Sequence, residues 1–487
     1  MSPFRSYQIV LFVLFSLLLA KNLLAYEGLA TKNVDRQIIH FAGENLQEVV
    51  DAARPHDIIM ADPNKTLMVV ETIMIDKPLT ISGLRAQVPD GLGGVGILHV
   101  IADGFRMDNF HLIGNRHSNF VDRATLLTLE GSNFVVEQGI VKQASRHGIM
   151  VRATVERSPQ NGVIRDIIGY DIARDHVSIE GHGDGHIVRN VVVERIRAYG
   201  SENRGAVEVA DGSENITVRD IYAEDARYGV DFQDHDGRGT YQPNINTIIE
   251  NVFVRRCSHA VRASTSISVG KGGNEPPSTG FGHRNLTIRN IGGVEWADTS
   301  EPGQDGRSQK MAMPIVVNYT DNVLIENVDI MGVGETIYAA FLILNSRNVR
   351  VQNVHIDSVS VYREAMLIEN SSDVYLNSIS INASERVVAE NAAVRYRLNE
   401  DGVYRNFRVN DLFAYGTANR IILEAMEPIG DFRDYHRRQF TGEGMQFAPA
   451  TANVTLKSFI IHYDPELVDD NIGVKNGTVH HSYRNRK

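Results

Sequence analysis

Ionisable side chains are concentrated in the middle of the sequence, between residues 178 and 264. The catalytic candidates among them are three carboxylates and one arginine, namely Glu180, Glu208, Asp231 and Arg262. Two neighbouring carboxylates repel each other, which raises the pKa of at least one of them and lets it act as a general acid beside an ionised partner. These residue types therefore predict acid–base chemistry, provided that the fold brings them together.

A second group of residues around these four is suited to binding a ligand. The turns at residues 180–186 and 231–237 are rich in glycine, which lets a ligand approach the backbone closely. The only tryptophan of the chain either stacks on a sugar ring or anchors its loop to the protein. The substrate-binding candidates are His182, His235, Gln233, Lys271 and Trp296.

A repeated motif must position these residues. It starts with Asn and continues as apolar, any, apolar, any, any, apolar. Good copies start at Asn190, Asn215, Asn251, Asn285, Asn322 and Asn348, and looser copies start at Asn109, Asn133, Asn161, Asp373, Asn406 and Asn453. Alternating apolar residues have the period of a β-strand, and no long helical stretch separates the copies. The repeat predicts an all-β chain that forms a single-stranded parallel β-helix, with Asn in left-handed conformation at a corner of each coil.

Each coil carries a second strand of the form apolar, any, apolar. Aligning these strands places one outward residue of each in a column that reads Thr128, Met150, Ser178, Glu208, Asp231 and Arg262. The next outward column reads Glu130, Arg152, Glu180, Ala210, Gln233 and Ser264. Side chains on adjacent rungs of a sheet lie about 4.8 Å apart. The alignment therefore predicts that the catalytic candidates cluster on one face of the coil.

Composition limits the partners of the chain. It has 487 residues, with 49 Lys and Arg against 60 Asp and Glu and a formal charge of -11, which argues against a nucleic-acid partner. A local basic stripe can still bind a polyanion. The single cysteine, Cys257, excludes an internal disulfide and falls on an inward position of its strand, which predicts a buried thiol. We expect a monomer.

The ends of the chain have their own signals. Arg5 followed by the apolar run Ile9 to Ala20 predicts a signal peptide over residues 1–25, and hence a secreted or periplasmic protein without a stable membrane span; an uncleaved anchor is the alternative. The β-helix domain is expected over residues 40–463, with a short capping helix near its start. Enlarged loops are expected at about 264–313 and 384–450, and residues 464–487 form a C-terminal tail.

The start of the repeat resembles a known superfamily. Residues 45–53 (NLQEVVDAA) and the run Lys77-Pro-Leu-Thr-Ile-Ser-Gly83 are similar to the first coils of the right-handed β-helix superfamily of pectate lyases and polygalacturonases. The resemblance, with the rule for parallel crossovers, implies a right-handed coil and a polysaccharide substrate. Residues 228–234 (YGVDFQD) also resemble a Tyr-Gly-x-Asp-Pro-His-Asp segment of alginate C5-epimerases, but Gln233 stands where that family has its catalytic histidine.

Several functions remain open on these residues. A glycoside hydrolase, our first interpretation, uses Glu208 and Asp231 as paired carboxylates and requires no cofactor, although the Asn-Thr-Asp, Asp-Asp and Arg-Ile-Lys motifs of polygalacturonases are missing. A uronate lyase instead uses Glu180, Glu208 and Asp231 to bind calcium, with Arg262 or Lys271 as base. C5-epimerisation is a third reaction. A rod that binds glycans or displays loops without catalysis is the alternative outside enzymes.

Overall fold

The computed structural model describes residues 36–43, 45–118, 122–183, 185–234, 243–265, 282–297, 312–333, 335–362, 364–385, 393–399, 407–416, 421–426 and 454–461. The predicted signal peptide, the predicted C-terminal tail and much of the two predicted enlarged loops lie outside these residues. Within the described part of the chain, no helix has the length and apolar character needed to cross a membrane.

Two long parallel sheets run along the described chain. The first sheet contains strands Ile38–Phe41, Ile58–Ala61, Leu67–Met68, Thr80–Ser82, Arg85–Gln87, Arg106–Asp108, His111–Ile113, Val135–Lys142, Gln160–Ile172, Val188–Ser201, Ser213–Glu214, Thr217–Glu224, Ile245–Arg255, His283–Val294, Thr320–Met331, Thr336–Ile337, Arg347–Val361, Ser372–Glu385, Phe407–Gly416 and Val454–Ile461. The second sheet contains Ile73–Ile75, Leu98–Val100, Leu127–Leu129, Ile149–Arg152, Val177–Glu180, Gly205–Ala210, Tyr228–Asp234, His259–Thr265, Ile315–Asn318, Phe341–Leu344, Met366–Glu369, Val394–Asn399 and Ile421–Met426.

Successive strands of each sheet come from successive coils of the chain. Strand Val177–Glu180, for example, pairs in parallel with Ile149–Arg152 on one side and with Gly205–Ala210 on the other. The inward residues of both sheets, such as Val193, Val207 and Ile249, are fully buried and form one continuous apolar core. The prediction of a right-handed parallel β-helix is confirmed.

Asparagines in left-handed conformation mark the corners, as predicted. Asn190 and Asn215 have φ values of 53° and 56°, and their side chains are linked because Asn215 Nδ2 donates to Asn190 Oδ1 over 3.1 Å. The ladder continues through Asn246, not through the predicted Asn251, since Asn246 Nδ2 donates to Asn215 Oδ1 over 3.1 Å. Asn251 belongs to a second ladder and donates to Asp220. The predicted alignment of the motif copy at Asn251 is therefore wrong by five residues. The error arises because an Asn in left-handed conformation occurs at both corners of this coil, at Asn246 and at Asn251.

The structure also contains the short helix and the buried cysteine that the sequence predicts. A helix at Leu46–Ala52 begins after Asn45, whose side chain accepts from the backbone N–H of Gln47, and it buries Leu46 and Val50. Cys257 is fully buried, and burial raises the pKa of its thiol to about 12. The thiol is therefore a core group and not a nucleophile.

Candidate functional site

The second sheet brings the predicted column into register. Ser178 pairs with Glu208, Glu208 with Asp231, and Asp231 with Arg262, one residue per coil. In the neighbouring column, Glu180 pairs with Ala210 and Ala210 pairs with Gln233. The strand alignment made from the sequence is therefore confirmed, and it places Glu208, Asp231 and Arg262 side by side.

The carboxylates of this face are buried and not solvated. Glu208 and Asp231 are 0% exposed and Glu180 is 4% exposed. The side chain of Arg262 keeps 21% of its surface accessible. Ionised carboxylates are buried at this level only when they are paired with cations or hydrogen-bond donors. Their partners therefore decide what the site can do.

One arginine that the sequence analysis did not select lies between the two central carboxylates. Arg204 Nη1 lies 3.2 Å from Glu208 Oε1 and 3.0 Å from Asp231 Oδ2. Burial opposes the charge on Arg204, but Glu208 and Asp231 outweigh it and hold the pKa of the guanidinium above its usual range. Arg204 is thus a shared cation that offsets the repulsion expected between Glu208 and Asp231.

Arg262 makes a bidentate ion pair on the next coil. Its Nε and Nη2 atoms donate to Oδ1 and Oδ2 of Asp231, each over 2.8 Å, and its guanidinium lies 4.3 Å from the centroid of the Tyr228 ring. Burial alone would lower the pKa of the Arg262 guanidinium. Asp231 and Tyr228 raise this pKa by more than burial lowers it, so it lies above its ordinary value. This guanidinium binds anions well and is a poor base, which counts against its role as the base of a lyase.

Gln233 and Ser178 also donate hydrogen bonds to Glu208. Gln233 Nε2 donates to Oε1 over 3.1 Å, and Ser178 Oγ donates to Oε2 over 2.8 Å. Gln233 is 7% exposed and also accepts from Arg262. Gln233 therefore links Glu208 to Arg262 through its side-chain amide.

Arg204 belongs to a row with one arginine on each of four successive coils. Each member stands three residues before the first inward residue of its second-sheet strand, and each is partly exposed. The members, which we call the arginine row, are Arg146, Arg174, Arg204 and Arg227. Backbone hydrogen bonds join neighbouring members, from Arg174 N to Arg146 O and from Arg227 N to Arg204 O, each over 2.9 Å. This repeated spacing was the signal in the sequence that could have identified the row.

A buried aspartate and histidine lie beside this row. Asp175 and His147 are both 0% exposed, and Asp175 Oδ2 lies 3.4 Å from His147 Nδ1. Burial and the nearby Glu208 hold the pKa of Asp175 well above its usual range. Burial, with Arg174 contributing, holds the pKa of His147 well below its usual range. Asp175 is therefore the carboxyl in this cluster that is stabilised in its protonated form.

The other predicted binding residues are placed differently. His182 is partly exposed in the turn after strand Val177–Glu180, with its ring centroid 6.3 Å from that of His186. His235 and Lys271 lie outside the described residues. Trp296 is 4% exposed, and its Nε1 donates to the carbonyl of Met331 over 3.0 Å. The indole is thus a loop anchor in the core, the other role considered for it, and it presents no open face for a sugar.

The residues proposed for calcium do not fit that ion. Both oxygens of Asp231 accept from Arg262, and Oδ2 also faces Arg204, so this carboxylate is already neutralised. Glu180 and Glu208 alone do not provide the six to eight oxygens that Ca²⁺ typically takes. The three carboxylates therefore do not form a calcium site of the kind that a uronate lyase needs.

Comparisons with known proteins add information on the fold. No protein-family model and no curated protein matches the chain. An N-terminal fragment of bacteriophage phi29 gene product 12 matches with a TM-score of 0.54 at 13% identity, covering 85% of this chain and 74% of that one. The pre-mature form of gene product 12 matches with a TM-score of 0.56 at 12% identity, over 85% of this chain and 60% of that one.

A family 28 exopolygalacturonase from Yersinia enterocolitica matches with a TM-score of 0.49 at 13% identity, covering 81% of this chain and 79% of that one. The two gene product 12 structures, with TM-scores of 0.54 and 0.56 at 13% and 12% identity, show a likeness of fold and nothing about the reaction. The function must therefore be argued from the side chains of the site.

Proposed function

We propose that this chain is a polysaccharide-active enzyme that binds an acidic polysaccharide along the arginine row and hydrolyses it. The observation that carries the proposal is the row itself. Four partly exposed arginines stand on four successive coils of a protein with a net charge of -11. Adjacent rungs are about 4.8 Å apart, so the row presents regularly spaced cations. A polymer that repeats a carboxylate or sulfate along its length can bind to such a row.

The buried carboxylates support this role by fixing the arginines. Arg204 is held between Glu208 and Asp231, and Arg262 is held by both oxygens of Asp231. A guanidinium whose rotamer is already fixed loses little conformational entropy when it binds an anion. Its planar donors also suit the two oxygens of a carboxylate, which favours uronic acids over neutral sugars.

Hydrolysis requires a protonated carboxyl beside an ionised one. The raised pKa of Asp175 makes it the candidate acid, which donates its proton to the oxygen of the glycosidic bond. Glu208, whose Oε1 atom lies 3.2 Å from Arg204 Nη1, is the candidate base or nucleophile. A water molecule is consumed, the glycosidic C–O bond breaks, and a new reducing end forms.

Asp231 is the other carboxylate of the proposed site. Its Oδ2 atom and Glu208 Oε1 lie 3.0 Å and 3.2 Å from the same nitrogen, Nη1 of Arg204. Arg262 donates to both oxygens of Asp231, and Oδ2 also accepts from Arg204, so this carboxylate is engaged by two arginines. We assign Asp231 the role of positioning Arg204 and Arg262.

Binding without cleavage is the second candidate function, and one observation favours it. Asp175, Glu208 and Asp231 are all 0% exposed, whereas the side chains of Arg174 and Arg204 are each 21% exposed. A sugar chain on this surface therefore meets the arginines before it meets a carboxyl group.

A panel of uronic-acid, sulfated and neutral polysaccharides tests the proposal. Hydrolysis predicts new reducing ends from an acidic polymer without a product absorbing near 235 nm, and Asp175→Asn should abolish turnover while binding is retained. Arg174→Gln should weaken binding, whereas the control Arg350→Gln, an exposed arginine on the first sheet, should not. An absorbing product would indicate a lyase, tight binding without any product would indicate the second candidate, and no binding to any acidic polymer would refute both.

A further inference from the structure

Three side chains on neighbouring coils of the second sheet form a cluster that is distinct from the arginine row. One potential ligand atom from each of His147, Glu180 and Glu208 lies within 4.8 Å of the other two, and all three residues are buried. We propose that this cluster binds one divalent transition-metal ion, of the class of Zn²⁺ or Mn²⁺. The cluster shares Glu208 with the proposed hydrolytic site, but the metal proposal is argued from the geometry of these three side chains and not from polysaccharide hydrolysis.

The state of His147 is the independent observation that points to a ligand. Its side chain is 0% exposed, and among the described residues neither ring nitrogen has a hydrogen-bond partner. Burying a polar group without a hydrogen-bond partner is unfavourable. A metal ion would satisfy one of these nitrogens and remove that cost.

The surroundings of the cluster resemble the outer shell of a metal site. Asp175 Oδ2 lies 3.4 Å from His147 Nδ1, and Ser178 Oγ donates to Glu208 Oε2 over 2.8 Å. Metal-binding histidines and carboxylates are commonly oriented by such groups. Asp175 can therefore fix the orientation of the imidazole, and Ser178 can fix that of the Glu208 carboxylate.

The geometry and the donor types indicate the class of ion. Three atoms within 4.8 Å of one another can all lie about 2.8 Å from a common centre, so each must move less than about 1 Å to reach the 2.0–2.2 Å typical of zinc ligands. One imidazole and two carboxylates favour zinc or manganese over calcium, which takes more oxygens. Three protein ligands leave at least one position for water.

The neighbouring arginines set the expected affinity. Arg146 Nη2 lies 3.9 Å from Glu180 Oε1, and Arg174 Nη2 lies 3.9 Å from Glu208 Oε1. These cations repel a second positive charge, while the two carboxylates balance the charge of the ion itself. We therefore expect micromolar and not nanomolar binding.

The test uses the full-length protein after dialysis against EDTA. Titration calorimetry with Zn²⁺, Mn²⁺ and Ca²⁺ measures affinity and stoichiometry, and electron paramagnetic resonance with Cu²⁺ as a probe detects a coordinated imidazole nitrogen. The variants are His147→Gln and the nearly isosteric Glu180→Gln. The control is His176→Gln, which changes another fully buried histidine whose Nε2 contacts the carbonyl of Gly200. Circular dichroism checks the folding of each variant.

The expected result is one Zn²⁺ or Mn²⁺ per chain, Ca²⁺ binding at least tenfold weaker, and a nitrogen signal that disappears in His147→Gln. Glu180→Gln should weaken binding by about tenfold or more while His176→Gln binds normally. If His147→Gln does not fold, Glu180→Gln decides the question alone. The proposal is overturned if the wild-type protein binds none of these ions, or if folded Glu180→Gln binds them unchanged.

Discussion

Arg204 and Asp231 lie on adjacent coils, and Nη1 of the arginine is 3.0 Å from Oδ2 of the aspartate. The same nitrogen is 3.2 Å from Oε1 of Glu208, so one cation serves two buried carboxylates. Because they share this cation, Glu208 and Asp231 can be buried on neighbouring rungs of the second sheet.

Replacement of Arg204 by Gln should destabilise the fold. The change leaves two buried carboxylates without their shared cation, and breaking a buried ion pair typically costs about 3–5 kcal/mol. Because Arg262 still pairs with Asp231, we expect a loss of about 3 kcal/mol in the free energy of unfolding, measured by urea denaturation. Arg350→Gln on the first sheet is the control and should change it by less than about 0.5 kcal/mol. Equal stability of the two variants would contradict the proposed role of Arg204.

Replacement of Asp175 by Asn should stabilise the protein at neutral pH. The folded protein keeps a proton on Asp175 that the unfolded chain loses above pH 4, so this group makes folding less favourable as pH rises from about 4 through its raised pKa. Asn carries no charge and can still accept from the backbone N–H of Gly205. Calorimetry from pH 4 to 7 should show a higher Tm for the variant at pH 7 and a smaller difference at pH 4. A lower Tm at pH 7 would count against a protonated Asp175.

Acid should destabilise the fold through its buried histidines. Burial lowers the pKa of His176 to about 4, while the unfolded chain titrates near 6.5. The stability that comes from the neutral ring is complete above pH 6.5 and is lost as pH falls towards 4, by about 3 kcal/mol for one such histidine. Urea denaturation between pH 7.5 and 4.5 should give a shallower pH dependence for His176→Gln than for the wild type. Parallel curves would contradict this assignment.

Two substitutions of one corner asparagine can separate the stability that comes from its left-handed conformation from the stability that comes from its hydrogen bonds. Asn246 has a φ of 57°, donates to Asn215 and accepts from Asn285. Asn246→Gly keeps the left-handed conformation but loses both hydrogen bonds, whereas Asn246→Ala also meets the left-handed penalty of about 1–2 kcal/mol. Ala should therefore lower the unfolding free energy more than Gly does. Equal effects would show that φ at this corner is unimportant.

The fold could be predicted from the sequence because every coil repeats the same physical constraints. Alternating apolar residues set the strands, the corner residues set the coil length, and together they aligned Ser178, Glu208, Asp231 and Arg262 correctly. Asn246 was missed because the segment after Asn251 fits the same short pattern.

The arrangement of the site could be predicted only in part. Periodicity gives the rung on which a residue lies, but it does not give the rotamer of a long side chain that reaches across rungs. Arg204 enters the carboxylate pair from a turn, and Asp175 is buried by groups that are distant in sequence. Burial and the nearby Glu208 raise the pKa of Asp175, a residue that no sequence pattern singled out.

The coil-by-coil pairing of the second sheet also determines when the site can form during folding. Each strand pairs only with strands of adjacent coils, so stabilisation is passed from neighbour to neighbour. A chain folded only as far as residue 200 contains His147, Asp175 and Glu180 but lacks the coil that supplies Arg204 and Glu208. The charged cluster is therefore completed by the stacking of later coils, and a stalled intermediate would expose Asp175 and Glu180 at its growing end.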